Sequence, residues 1–200
     1  MNTRWEYRKN TAPPSDQSRS LHEVAFFEKD SDLETGFAEY AKAPIKAQKS
    51  VLLFASETRR TNIYNRLVGD GIDLESLIAT GLYLPLDASE VLSKVMVNDS
   101  PDPLRCRNVL EGVERHIATL RDGEALKLAV CAECAPTLLI QGKEQAAVAL
   151  ERHWDEVTRA HSVDTLCGYS WRAFPDREAS TVFAQVCAEH TGIRKSRSVG

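Results

Sequence analysis

Five short apolar runs, each followed by a polar turn and a stretch of helical length, constrain this chain more than anything else in it. HEVAFFE (22–28) and SVLLFAS (50–56) are rich in β-branched and aromatic residues and too short for helices. LYLPLDA (82–88) follows Gly81 and carries Pro85, which weakens it as a strand. ALKLAVCAE (125–133) and VDTLCGYS (163–170) complete the set. Leu104, Val109, Val113, Ile117 and Leu120 recur on one stripe over 103–121, and Ala147, Leu150, Trp154 and Val157 do so over 143–160. Ser31 or Asp32 is placed to cap the first helix, and Asp176 the last. Strands alternating with helices require crossover connections. The pattern therefore predicts an α/β domain of three layers, with helices on both faces of a mostly parallel central sheet of at least five strands.

With 200 residues, 42% hydrophobic and 27% charged, the chain suits one globular domain. Residues 1–20 are polar, contain Pro13 and Pro14, and read as a flexible leader; 193–200 read as a basic tail; the domain spans 21–192. A net charge of −4 argues against a phosphate-coating surface, so nucleic acid is not expected as a direct partner. No apolar run nears the roughly 18 residues that span a bilayer. The first residues lack the apolar segment of a secretory signal. Five cysteines at 106, 131, 134, 167 and 187 show no disulfide framework, which places the chain in a reducing cytoplasm.

In a parallel sheet, ligands bind beyond the carboxyl ends of the strands. The residues that arrive there are Phe27, Glu28, Ser56, Arg59, Asp87, Cys131, Glu133, Cys134, Tyr169, Ser170 and Trp171. Aromatic walls with a few carboxylates and hydroxyls suit a small-molecule pocket. The competing explanation is that every strand ends in some polar residues.

Motif by motif, catalysis finds no support. KDSDLETG after the first strand is not a phosphate loop, Gly142-Lys143 runs into Glu144, and Gly69 and Gly71 precede no phosphate-cradling helix. GYS lacks the second glycine of a nucleophile elbow, with Arg172 in its place. Cys131-Ala-Glu-Cys134 has metal-clip or redox spacing. A zinc clip needs a second pair of ligands, however, and Glu133 opposes thiolate formation. Two small apolar thiols ending a strand remain the plain alternative. Among the five histidines, His22 stands out by its place at the head of the first strand.

Read in order, HEVAFFEKDSDL (22–33), LDASEVLSKVMVNDSPDPLRCRNVL (86–110), AECAPTLLIQGKEQAAVALERHWDEV (132–157), LCGYSWRAF (166–174) and VCAEH (186–190) resemble the MEDS sensory domain. The shared pattern is an opening His, aromatic pair, Glu and Asp; a Leu-Asp-Ala turn; a Gly-Glu-Met-Val stretch followed by Leu-Glu-x-x-Trp; and Cys-Ala-Tyr-Pro. His22, Phe27, Glu28, Asp87, Glu133 and Tyr169 fall on motif positions. The chain departs from the pattern at Cys106 (usually Phe), Ala132 (Gly), Cys134 (Met), Gly168 (Ala) and Ser170 (Pro), and 41–50 lacks a glycine-rich turn.

The resemblance implies a RecA/KaiC-like fold without its phosphate loop and a non-catalytic, cofactor-free role in sensing small, partly apolar molecules. It implies a histidine kinase or transcriptional regulator as the protein that reads the signal, and leaves a homodimer open. The expected ligand site comprises His22, Phe27, Glu28, Ser56, Asp87, Glu133, Tyr169 and Trp171. Two other readings stay open. One is a metal- or redox-responsive switch on Cys131 and Cys134, completed by His22, Cys167 or Glu133. The other is a ligand-free interaction module.

Overall fold

The first strand, β1 (His22–Phe27), lies inside the sheet and not at its edge. This computed structural model describes residues 20–122, 126–174 and 180–194. In chain order the other elements begin with α1 (Asp30–Lys46), β2 (Ser50–Ala55), α2 (Glu57–Gly69), α3 (Leu74–Ala79), β3 (Tyr83–Asp87) and α4 (Ala88–Val95). A two-residue hairpin follows, β4 (Met96–Val97) with β5 (Ser100–Pro101), then α5 (Pro103–Leu120), β6 (Leu128–Ala132), α6 (Cys134–Ile140) and α7 (Glu144–His161). The chain closes with β7 (Asp164–Ser170), a 3-10 turn at Trp171–Ala173, α8 (Thr181–Ala188) and β8 (Gly192–Arg194).

Six strands form one sheet in the order β3-β2-β6-β7-β1-β8, every pairing parallel. Pro85 is accommodated because β3 is an edge strand, where a missing ladder donor costs least. Strand alternation divides the core in two. Leu52, Phe54, Val130, Cys167 and Tyr169 pack against α4–α8, whereas Val51, Leu53, Cys131 and Leu166 pack against α1–α3. Both faces are covered, so these strands read as continuous apolar runs instead of alternating ones.

Three local expectations change. Helix α1 starts after Lys29 without a side-chain cap, and Asp30 and Asp32 sit in its first turn, where their charges favour the helix dipole. The last helix is capped by Ser180, whose hydroxyl accepts from the Phe183 N–H at 3.1 Å; Asp176 lies outside the described residues. Ile193 and Arg194, read as the start of a tail, pair with Val24 and Ala25 in β8. The rest of the tail and residues 1–19 also lie outside the described residues.

Gly168 is a packing requirement. A Cβ there would stand 2.6 Å from the Phe37 ring and 3.3 Å from Leu33 Cγ. The Phe37 ring fills the space that a methyl would occupy. Gly168→Ala should lower unfolding free energy by about 1–3 kcal/mol, the usual cost of overpacking. Phe37→Leu in the same chain should recover part of that loss in urea unfolding.

Candidate functional site

Where the strands end, the polar residues are occupied with one another. Glu133, buried, accepts from the Ser56 backbone N–H and pairs closely with Arg59, which also reaches Asp30 at 3.0 Å. Arg60 pairs with Asp87 at 3.0 Å, and the Asp87 carboxylate accepts the N–H groups of Ser89 and Glu90, capping α4. These contacts fasten α2 and α4 to the sheet. Phe27 lies on the α1 face, against the position where Gly36 leaves room for its ring. Tyr169 lies on the opposite face, and Trp171 stacks on Phe26 there at 4.7 Å between centroids. Glu28 is exposed. The predicted rim residues are therefore split by the thickness of the sheet and do not line one pocket.

The CxxC pair is split in the same way. Cys131 points from β6 toward α1, its Sγ 4.0 Å from the Phe37 carbonyl, while Cys134 opens α6 on the other face. Burial pushes both thiols well above their ordinary pKa. The two sulfurs therefore belong to the cores on opposite faces of the sheet.

Two features do lie together on the α4–α8 side. The first is a cavity of about 20 Å³ between the sheet and α4–α7, room for little more than one small group as it stands. Its lining is apolar (Phe54, Val91, Val95, Leu150) apart from Trp154, Glu151 and three thiols. Trp154 packs edge-on to Phe54, and its buried indole N–H has no hydrogen-bond partner. Cys106, Cys134 and Cys167 are the thiols. The first two stand where the sequence pattern expects the larger Phe and Met, so these substitutions leave the space open.

The second feature is a buried polar cluster beside that cavity. His22 comes from the head of β1, Glu151 from α7, Cys167 and Tyr169 from β7, and His190 from the turn just past α8. Glu151 is 2% exposed and His22 1%. Glu151 Oε2 lies 3.4 Å from His22 Nε2, 3.5 Å from His190 Nε2 and 3.3 Å from Cys167 Sγ; its other oxygen accepts the Tyr169 hydroxyl. His22 Nε2 is 3.4 Å from Cys167 Sγ. The two imidazole centroids are 4.1 Å apart, with the rings tilted 34° to one another.

The backbone sets this up. Parallel pairing of β1 with β7 places Val24 beside Cys167, so His22 and Cys167 share a face one step apart. Thr191 clamps His22, its hydroxyl accepting from the His22 N–H at 2.9 Å and donating to the His22 carbonyl at 2.8 Å. That brings His190 against His22.

The cluster pairs opposite charges, Glu151 with His22. Burial alone would raise the Glu151 pKa, but His190 and His22 overcome that and hold the carboxyl well below its ordinary range. Burial would lower His22, yet Asp155 and Glu151 carry it up to about 9. Cys167 and Tyr169 are pushed well above their ordinary values by burial and then by Glu151.

Of the expected site residues, His22 and Tyr169 belong to this cluster. Glu151 and His190 were not expected. Their signals were the glutamate of Leu-Glu-x-x-Trp and the histidine closing VCAEH, both inside motifs that had been recognised.

Residues 21–190 match the family model described as MEDS, the MEthanogen/methylotroph, DcmR Sensory domain. The fold is similar to a solved structure described as "Structural study of Project ID PH0250 from Pyrococcus horikoshii OT3", with a TM-score of 0.51 and 9% sequence identity over 91% of this chain and 84% of that one. At that identity the likeness is one of fold alone. No curated protein matches this sequence. Among the described residues, no helix is long and apolar enough to cross a membrane.

Proposed function

The chain belongs to the MEDS family of sensory domains, and from that premise we propose that it is a non-catalytic sensor whose ligand enters the cavity under α4–α7. The observation that carries this reading is the cavity itself, lined by apolar side chains, by Trp154, whose buried indole N–H is unpaired, and by the edge of the Glu151 cluster. Such a lining selects a molecule of a few heavy atoms, mostly apolar, with one acceptor atom for Trp154. The cavity touches α4, α5, α6 and α7, so a ligand larger than the resting space has to move helices on one face of the sheet. It can shift that arrangement only by binding one state better than the other. A histidine kinase or transcriptional regulator reading the α4–α8 face would receive the change.

One- to three-carbon alcohols and haloalkanes are the probes. At a concentration near 100 Kd a fitting compound should stabilise the protein by about 2.7 kcal/mol, seen as a raised thermal midpoint. Cys106→Phe, which restores bulk to the cavity wall, should weaken binding by at least about tenfold. No shift with any of the set, together with no xenon entry by NMR, would end this reading.

A further inference from the structure

We propose that His22, Glu151, Cys167 and His190 form a buried, four-coordinate site for a divalent transition-metal ion of the zinc type. Their donor atoms (two imidazole Nε2, one carboxylate oxygen and one Sγ) all lie within 4.8 Å of one another. The four separations given above run from 3.3 to 3.5 Å. A tetrahedral ion with bonds of about 2.0–2.3 Å has ligand-to-ligand edges of roughly 3.3–3.7 Å. Four of the six edges of the cluster already fall in that range, and the other two are within 4.8 Å.

The surroundings suit the same purpose. His190 Nδ1 donates to the Val186 carbonyl at 2.6 Å, which turns Nε2 toward the centre of the cluster as the nitrogen open to a metal. That nitrogen is buried, has no hydrogen-bond partner and faces the Glu151 carboxylate. A buried nitrogen facing a carboxylate requires a cation there, which is either its own proton or a metal ion that replaces it. His22 Nδ1 lies 3.5 Å from Asp155, and Tyr169 donates to the Glu151 oxygen that does not face the histidines. His190 and the Glu151 carboxylate thus each have an outer hydrogen bond that sets their orientation, and Asp155 stands beside His22 at ion-pair distance.

Charge balance favours a divalent ion. Binding M²⁺ forms bonds to two neutral imidazoles, the Glu151 carboxylate and the Cys167 thiolate, and the Cys167 S–H proton and the His22 imidazolium proton leave to solvent. Two negative ligands then cancel the ion's charge, so no net charge is buried. Mixed imidazole and thiolate donors suit zinc, cobalt or copper better than magnesium or calcium. This site is independent of the CxxC pair and of the ligand reading, since a protein that ignores every small molecule could still hold the ion.

The test is metal content of untagged protein by plasma mass spectrometry, followed by Co²⁺ titration of the EDTA-treated chain. We expect close to one equivalent of metal, visible bands of four-coordinate cobalt, and a thiolate-to-cobalt band that Cys167→Ser removes. His190→Ala should weaken binding by at least about a hundredfold, and Asp155→Asn by about tenfold or more. Cys131→Ser and Cys134→Ser should leave binding unchanged. Should Cys167→Ser fail to fold, wild-type protein in weak buffer still decides the matter by releasing at least one proton per ion. Less than about a tenth of an equivalent with no cobalt bands overturns the site. Bands that survive both Cys167→Ser and His190→Ala, or that vanish in Cys131→Ser, overturn it as well.

Discussion

Exchange of Glu151 for leucine is expected to cost the metal-free protein about 3–5 kcal/mol of unfolding free energy. The carboxylate stands at the centre of four contacts: His22 Nε2 at 3.4 Å, His190 Nε2 at 3.5 Å, the Cys167 thiol at 3.3 Å and the Tyr169 hydroxyl. All of these groups are buried, so water cannot replace what the leucine removes. His22 would keep Asp155 and the Cys167 sulfur but lose its carboxylate at Nε2, and the Tyr169 hydroxyl would be left as an unpaired buried donor, a loss of about 1–3 kcal/mol by itself. Leucine fills most of the volume, which separates this electrostatic loss from a cavity effect. Glu151→Gln keeps an acceptor for Tyr169 and removes only the charge, so it should fall between leucine and wild type. Urea unfolding in EDTA decides the order. A loss under about 1 kcal/mol for the leucine variant would mean that the cluster contributes little to folding.

The sequence and the structure agree where information is local. The runs at 22–28, 50–56, 82–88, 125–133 and 163–170 became β1, β2, β3, β6 and β7, and the stripes at 103–121 and 143–160 became α5 and α7. Strand β8 and the β4–β5 hairpin escaped notice because two or three residues carry no periodicity. The site was harder to read for a different reason. His22 and His190 are separated by nearly the whole domain and meet only because β1 lies between β7 and β8. No spacing rule encodes that neighbourhood. Spacing also misled: Cys131 and Cys134 are close in sequence, yet one faces α1 from within a strand and the other begins a helix on the far side. Glu133 and Asp87 drew attention as strand-end carboxylates, and the structure accounts for them by their pairing with Arg59 and Arg60.

In the metal-free protein, stability should fall by about 2–3 kcal/mol between pH 6.5 and 8.5. The folded state holds His22 near pKa 9 against an ordinary 6.5. A group whose pKa is raised by folding contributes fully below its unfolded value and loses that contribution as pH climbs toward the folded one. Glu151 behaves in the opposite sense, being depressed by folding, so its contribution is present above about pH 4.5 and fades as pH drops below it. The two together predict a plateau from about pH 4.5 to 6.5 and a decline above it. The upper limit of 8.5 matters, because beyond it the buried thiols also draw the chain toward unfolding as the unfolded cysteines ionise. His22→Gln should flatten the decline while leaving the acid side in place. Zinc reverses the sign. An ion at the cluster needs neutral imidazole and ionised thiol, so the stabilisation it adds must grow with pH over the range in which the metal-free protein weakens. Urea midpoints at pH 6.5 and 8.5, with EDTA and with excess Zn²⁺, therefore give slopes of opposite sign if His22 serves both as the cation of the empty cluster and as a ligand of the filled one.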